Sequence, residues 1–335
     1  MNPLLKLIRF GAIKTVIVHA VIPVLDVLLS PATLLAAFLM KSLRRVGVYR
    51  LPVTHAVLRA VGVFPIRDHY YEPHFHPRHL TRPLDADRTL PGIDMNVAGQ
   101  LELLERFSYQ KELAALPRRA TGKAQYCYEN PNFGPGDAEY FYSLIRLSRP
   151  RTIVEIGSGA STLMALNAIA ANRRDEPKYR CRMVCIEPYE MPWLESVPSI
   201  EVIRQRVELV ELSLFDALDA GDILFIDSSH VVRPQGDVVR EYLEILPRLR
   251  PGVLVHVHDI FTPRDYPREW VVEQVRLYSE QYLVEAFLAH NRDFRILAMV
   301  DFLARHYRER IVAKCPVFGE GDPPGSTGSL WLQRV

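Results

Sequence analysis

The segment of this 335-residue chain best suited to hold a ligand is Ile153 to Ser161, IVEIGSGAS. An apolar run meets glycines at 157 and 159, which let the backbone turn sharply and let a ligand approach it closely. A helix starting behind them offers unpaired N–H groups. Gly157, Ser158, Gly159 and Ser161 are therefore candidate cofactor contacts, with Glu155 just before them. Glu187 ends the next apolar run, RMVCI, where a carboxylate can accept both hydroxyls of a ribose; the alternative is a solvated strand-end charge. A second constellation lies downstream. GDILFIDSSH carries Asp227 and His230, and VLVHVHDIF carries His256, His258 and Asp259. Carboxylates and an imidazole that converge can hold a divalent metal. Mg²⁺ prefers carboxylates and water, and a histidine makes Mn²⁺, Fe²⁺ or Zn²⁺ more competitive. Asp227, His258 and Asp259 are the candidate ligands. Such a metal lowers the pKa of a hydroxyl acceptor, and Asp227 or His230 is placed to take its proton. The plain alternatives are a helix cap for Asp227, a loop residue for His230 and a packed histidine for His258. His256 shares a strand face with His258 but lies deeper, as a structural residue would.

The elements that must position these residues alternate. Strands are predicted at Thr152–Ile156, Arg182–Ile186, Ile200–Ile203, Ile223–Ile226, Val253–His258, Phe294–Val300 and Ser329–Gln333. Helices are predicted from Ser161 to Ala171, from Gln235 to Leu249, and over most of Glu273 to His290. Upstream, Gln100–Ala115 reads as a helix, and Asp137 reads as the cap of another that stops before Pro150. Strands alternating with helices of this length imply an α/β fold, a doubly wound, Rossmann-like, seven-stranded and mostly parallel sheet. In such sheets ligands sit beyond the carboxyl ends of the strands.

Glu155 with the GSG turn resembles the first motif of class I S-adenosylmethionine-dependent methyltransferases, over roughly Gly134 to Val335. The resemblance implies that Glu155, Gly157 and Gly159 line the methionine end of the cofactor and that Glu187 holds its ribose. It places Val207 and Glu208 near the adenine. Where a nicotinamide fingerprint has a third glycine, this chain has Thr162. The acidic pattern resembles the metal-dependent branch of the family, which includes macrolide-sugar O-methyltransferases and cephalosporin-hydroxylase-like proteins. There carboxylates hold Mg²⁺ against two substrate hydroxyls. The family's strand order would bring Asp227, His258 and Asp259 together, with His258 standing where a third carboxylate is expected. HDIFTPRDYPREW looks like a segment of bacterial methyltransferase-like proteins; it would roof the acceptor site, with Tyr266 and Trp270 as walls.

The rest of the chain is less uniform. Thr15 to Met40 is apolar at 19 of 26 positions, flanked by Lys6, Arg9 and Lys14 before it and Lys41, Arg44 and Arg45 after it. That is long enough to span a bilayer, but Asp26, Pro23 and Pro31 interrupt it. Residues 1–64 are thus expected to be short helices broken at Pro23, Pro31 and Pro52, forming a membrane-contacting segment with basic flanks on anionic headgroups, or else covering the main core or a partner copy in a homo-oligomer. Nothing in it looks like a cleaved signal peptide. Residues 65–133 read as a loop-rich and helical cap or linker, opening with five prolines and four histidines between Pro65 and Asp94. Residues 134–335 form the methyltransferase domain. The cluster Arg67 to His74 suits a polar ligand or a surface loop.

Composition bounds the partners. Hydrophobic residues are 48% and charged residues 24%, enough for a large core. A net charge of +2 from 41 basic and 39 acidic residues excludes a broad nucleic-acid-binding face. Cys127, Cys181, Cys185 and Cys315 read as reduced thiols of a cytoplasmic protein. The expectation is an S-adenosylmethionine-dependent O-methyltransferase, assisted by Mg²⁺ or Mn²⁺, at the inner face of a membrane. Its acceptor is a hydroxyl of a small molecule or saccharide, lipid-linked or cell-envelope glycans included. The alternatives are a hydroxylase-like or N-methylating relative, and a catalytically silent scaffold.

Overall fold

The computed structural model describes residues 17–120, 124–320 and 327–335, in two compact units, one up to Thr81 and one from Arg82 to Val335. Lys6, Arg9, Lys14 and the start of the apolar run at Thr15 lie outside the described residues.

In the first unit a helix α1 (Ile22–Val46) continues a helical turn at Ile17–Val21. The expected break at Pro31 does not occur. Pro31 cannot donate to the Val27 carbonyl, but the Ser30 hydroxyl donates to it instead at 2.8 Å. The expected break at Pro23 does not occur either: the helical turn Ile17–Val21 runs straight into α1 across it. The run ends at Gly47, ahead of the expected Pro52, and Pro52 instead opens α2 (Pro52–Val61). No residue of α1 is buried.

The second unit is a seven-stranded sheet in the order β3-β2-β1-β4-β5-β7-β6. Its strands are β1 (Thr152–Ile156), β2 (Arg182–Ile186), β3 (Ile200–Ile203), β4 (Ile223–Ile226), β5 (Leu254–Val257), β6 (Phe294–Met299) and β7 (Leu330–Arg334). The first five run parallel, and β7 is antiparallel to both neighbours. Alternate residues feed two cores. Ile153, Ile223 and Phe225 pack with α4 (Asp137–Ser148) and α5 (Ala160–Asp175) on one face. Val154, Leu224 and Val255 pack with Val238, Tyr242 and Val284 on the other. The remaining helices that concern the site are α3 (Val97–Glu105) and α6 (Glu280–Leu288).

The expected 100–115 helix is α3 plus a separate turn at Gln110–Ala114, and the helix expected from Glu273 begins only at Glu280. Arg82 onward belongs to the sheet-bearing unit. Asn96 donates to the Ile296 carbonyl at 2.7 Å, and the Arg88 guanidinium reaches Glu285 and the Pro263 carbonyl. Asp137 does not cap α4. Its carboxylate accepts from the Gly328 and Ser329 amides at 2.8 and 3.0 Å, tying α4 to the start of β7. Glu139 accepts from the Gly136 amide at the helix start instead.

Candidate functional site

Register fixes where the site forms. Ile156 pairs with Ile186 and with Ile226, and Ile226 pairs with Val257. The residues that follow each of these, Gly157, Glu187, Asp227 and His258, therefore leave the sheet in one row at its carboxyl edge.

A cleft of about 440 Å³ opens over β1, β2 and β4, with Gly157, Glu187, Val207, Glu208 and Asp227 in its wall. Gly157 has φ +76°, and a Cβ there would lie 1.9 Å from the Asp227 carbonyl, so backbone conformation and space both demand glycine. Glu187 is held by its own loop: Oε1 accepts from the Tyr189 and Glu190 amides, each at 2.9 Å.

Glu155, Ser158, Gly159 and Ser161 do not line this cleft. Glu155 is fully buried and accepts from the Ser161 hydroxyl at 2.6 Å and from the Thr162 hydroxyl. Thr162 also accepts from the Gly159 amide at 3.0 Å. The carboxylate and two hydroxyls thus clasp β1, the glycine turn and α5 together. Burial raises the Glu155 pKa to about 7 against the lowering effect of Ser161 and Thr162. The threonine that departs from the nicotinamide fingerprint is part of this clasp.

Asp227 stands where that cleft meets the acidic cluster. One ligand atom each from Asp227, His230 and Asp259 lies within 4.8 Å of the others. His230 Nε2 is 3.3 Å from Asp227 Oδ1 and 3.5 Å from Asp259 Oδ2, and its Nδ1 is 2.8 Å from Glu280 Oε2. Burial disfavours charge on His230, but its hydrogen bonds to Asp227 and Glu280 outweigh that and hold its pKa well above the usual value. Asp227 resists burial and stays below the usual range because His258 and His230 face it. Asp259 is raised, by burial above all. His230 and Asp259 both adopt left-handed backbone, φ +60° and +59°. The first is pinned by its carbonyl, which accepts from the Ser279 and Glu280 amides at 2.9 and 3.1 Å. Such strain in non-glycine residues persists where the surroundings enforce it, commonly at functional sites.

The histidine that joins the two aspartates is thus His230, not the expected His258. His258 Nε2 stays 3.6 Å from Asp259 Oδ1, and its buried Nδ1 has no partner among the described residues. With Asp259 it lines a second cleft, also about 440 Å³, walled by Asn132, Asp137 and Trp270. Its charge is opposed by burial yet favoured on balance by Asp227, Asp259 and Asp137. His256 is the structural residue expected. It stacks on Phe225 at 3.9 Å, bonds Ser329 Oγ at 2.8 Å, and burial keeps its pKa well below the usual value.

Of the two expected aromatic walls, Trp270 lines the second cleft. Tyr266 is buried, and its hydroxyl accepts from the Gln281 amide at 2.9 Å. Sequence reasoning missed Glu280 and Glu241. Glu280 is fully buried, binds His230 and accepts from the Tyr242 hydroxyl at 3.1 Å. Glu241, behind Ser228, is raised well above the carboxylate range by burial and by Glu280. Neither has a sequence signal, since they reach Ser228 and His230 across 13 and 50 residues of chain through helices whose inward face only the fold defines.

Residues 154–260 match the family model described as a methyltransferase domain. A protein of Archaeoglobus fulgidus described as uncharacterized is 30% identical over 181 residues, which are 50% of this chain and 80% of that protein. Similar solved structures include an O-methyltransferase from Bacillus cereus in complex with SAH, 15% identical, covering 59% of this chain and 82% of that one with a TM-score of 0.32. Another is TomG, an O-methyltransferase from Streptomyces achromogenes involved in tomaymycin synthesis, in complex with SAM; it is 15% identical, covering 72% and 91% with a TM-score of 0.36.

Proposed function

The chain belongs to the methyltransferase-domain family, and from that premise we propose that it is an S-adenosylmethionine-dependent O-methyltransferase assisted by a divalent metal. One observation carries the reading. Asp227 is at once a wall of the first cleft and a member of the acidic trio, whose other aspartate, Asp259, opens on the second cleft. Donor, metal and acceptor would therefore meet at one carboxylate.

The residues fit both groups. The first cleft offers a glycine with no room for a side chain and the Glu187 carboxylate at the end of β2, the place where a ribose is held. The trio offers two carboxylates and an imidazole, a donor set for Mg²⁺ or Mn²⁺. The donor supplies an electrophilic methyl, and the metal lowers the pKa of the hydroxyl that attacks it. The protein's own part is positioning. Glu187 would fix the ribose, Asp227 and Asp259 would bind the cation, and Glu280 would set the ring of His230 as an outer-shell partner does. The two histidines exchange the roles expected from sequence. His230 joins the ligand set, and His258, in the wall of the second cleft, is the base that accepts the hydroxyl proton. The imidazolium formed there is stabilised by Asp227, Asp259 and Asp137.

The second cleft, with a tryptophan wall beside amide and carboxyl groups, suits the hydroxyl of a saccharide or polyol-like small molecule. The α1 helix is read as a bilayer segment, with the catalytic unit on the cytoplasmic side. Val18–Val46 is long and apolar enough to cross a membrane, and no residue of α1 is buried. A lipid-linked acceptor follows naturally from that location.

The test is calorimetric titration of S-adenosylmethionine into the full chain, with Mg²⁺, Mn²⁺ or EDTA. Binding that weakens at least tenfold in Glu187→Ala, about 1.4 kcal/mol, supports the first cleft. Methyl transfer to a saccharide panel that EDTA, Asp227→Asn and Asp259→Asn each abolish supports the metal. His258→Gln should lower kcat about 100-fold while leaving donor binding unchanged. No donor binding under any condition would overturn the reading.

A further inference from the structure

The first unit holds a third cavity, remote in sequence from both clefts and the acidic trio. Its wall is drawn from the end of α1, the Gly47 turn, α2 and the loop to Glu72, and it carries Arg44, Arg45, Arg50 and Arg67 with His55 and His69. Glu72 is the one acidic residue in that wall, and the Arg44 fork satisfies it at 2.6 and 2.7 Å. Arg67 Nε lies 3.8 Å from the same carboxylate. Arg45 and Arg50 have no carboxylate within ion-pair distance among the described residues, so the cavity keeps a surplus of positive charge.

What surrounds the cavity says where its counter-charge comes from. Only Val48 and Leu58 are buried among the described residues of this unit. Val53, Val57 and Val61 are exposed and fall four apart, making an uncovered apolar stripe along α2. His55 and Arg59 take its other side. Tyr49, Tyr70 and Tyr71 are each more than 70% exposed. An apolar helix, an amphipathic helix beside it, exposed tyrosines and arginines at their junction is the residue order of a membrane–water interface.

We propose that this cavity binds the phosphate of an anionic phospholipid headgroup. The proposal rests on the reading of α1 as a bilayer segment. The geometry gives the headgroup what an isolated basic surface does not. Arg44 and Arg67 are already oriented by Glu72, and Arg45 and Arg50 are left to pair with phosphate oxygens. The four arginines come from three successive pieces of chain, so the bound lipid would also hold the α1–α2 turn in place.

The experiment uses the full chain and two vesicle types, neutral phosphatidylcholine and phosphatidylcholine with phosphatidylglycerol. The wild type should float with both, and bind the anionic vesicles at least tenfold more tightly at low salt. Arg45→Gln/Arg50→Gln should still float with neutral vesicles and lose that preference. Lys41→Gln/Arg59→Gln removes the same charge outside the cavity wall and should retain it. Wild type that fails to float on neutral vesicles would sink the bilayer reading of α1, and the cavity assignment with it. Flotation with no anionic preference would sink the cavity assignment alone. Equal losses in both double variants would mean diffuse surface charge and overturn it too. Inorganic phosphate that abolishes the preference at millimolar concentration would make the ligand a soluble anion and overturn the lipid assignment.

Discussion

At the scale of single residues the chemistry of a position depends on what buries it. Glu155 was legible as the acid before a glycine turn, but its side chain points into the corner rather than into the cleft. A prediction follows from its pKa. The folded value is about 7, against an unfolded value near 4.5. The folded state therefore binds more protons between those values, and the contribution of this group to stability is full below about pH 4.5 and lost as pH rises through about 7. At pH 8 it costs about 3 kcal/mol. Glu155→Gln should flatten that part of the stability curve, as read by urea unfolding at pH 5 and pH 8, and parallel curves for variant and wild type would refute the clasp. Gly157→Ala meets the Asp227 carbonyl and a left-handed backbone together. Its unfolding free energy should fall by at least about 2 kcal/mol, with loss of donor binding. His230 was the opposite case. Nothing in SSH announces that its ring meets Asp227 and Asp259, because a left-handed backbone pinned by Ser279 and Glu280 turns it there.

Among the elements, strands and their order of appearance were readable because burial on both faces makes each a continuous apolar run. Thr152–Ile156, Arg182–Ile186, Ile200–Ile203 and Ile223–Ile226 match residue for residue. What pattern could not give was continuity and ends. The α1 helix runs through Pro31 because Ser30 repairs the carbonyl that proline abandons. The segment after β5 was placed above the site by its position, yet what holds it is unreadable in sequence. Arg264 makes a forked ion pair with Asp301 at 2.8 and 2.7 Å, both groups being buried, and Arg305 binds the same carboxylate at 3.0 Å. Removing one partner strands a buried charge. Asp301→Ala should cost about 3–5 kcal/mol, seen as a lower urea midpoint. A shift within error would mean that water replaces the carboxylate and that the segment is held by its apolar contacts.

For the whole molecule the relevant fact is that the chain separates at Thr81–Arg82 and that its two kinds of surface separate with it. Both clefts and the acidic trio lie in residues 128–328, while the exposed apolar helix and the basic cavity lie at or before Glu72. The sheet-bearing unit has its own pair of cores, one on each face, built without any residue of the first unit. A chain beginning at Arg82 should therefore fold, stay soluble without detergent and bind S-adenosylmethionine within threefold of the full chain. If the first unit only delivers the enzyme to a membrane, the truncated chain should keep kcat on a water-soluble acceptor and lose rate only on an acceptor embedded in vesicles. Loss on the soluble acceptor as well would show that residues before Arg82 contribute to catalysis itself, and the division of labour between the units would fall.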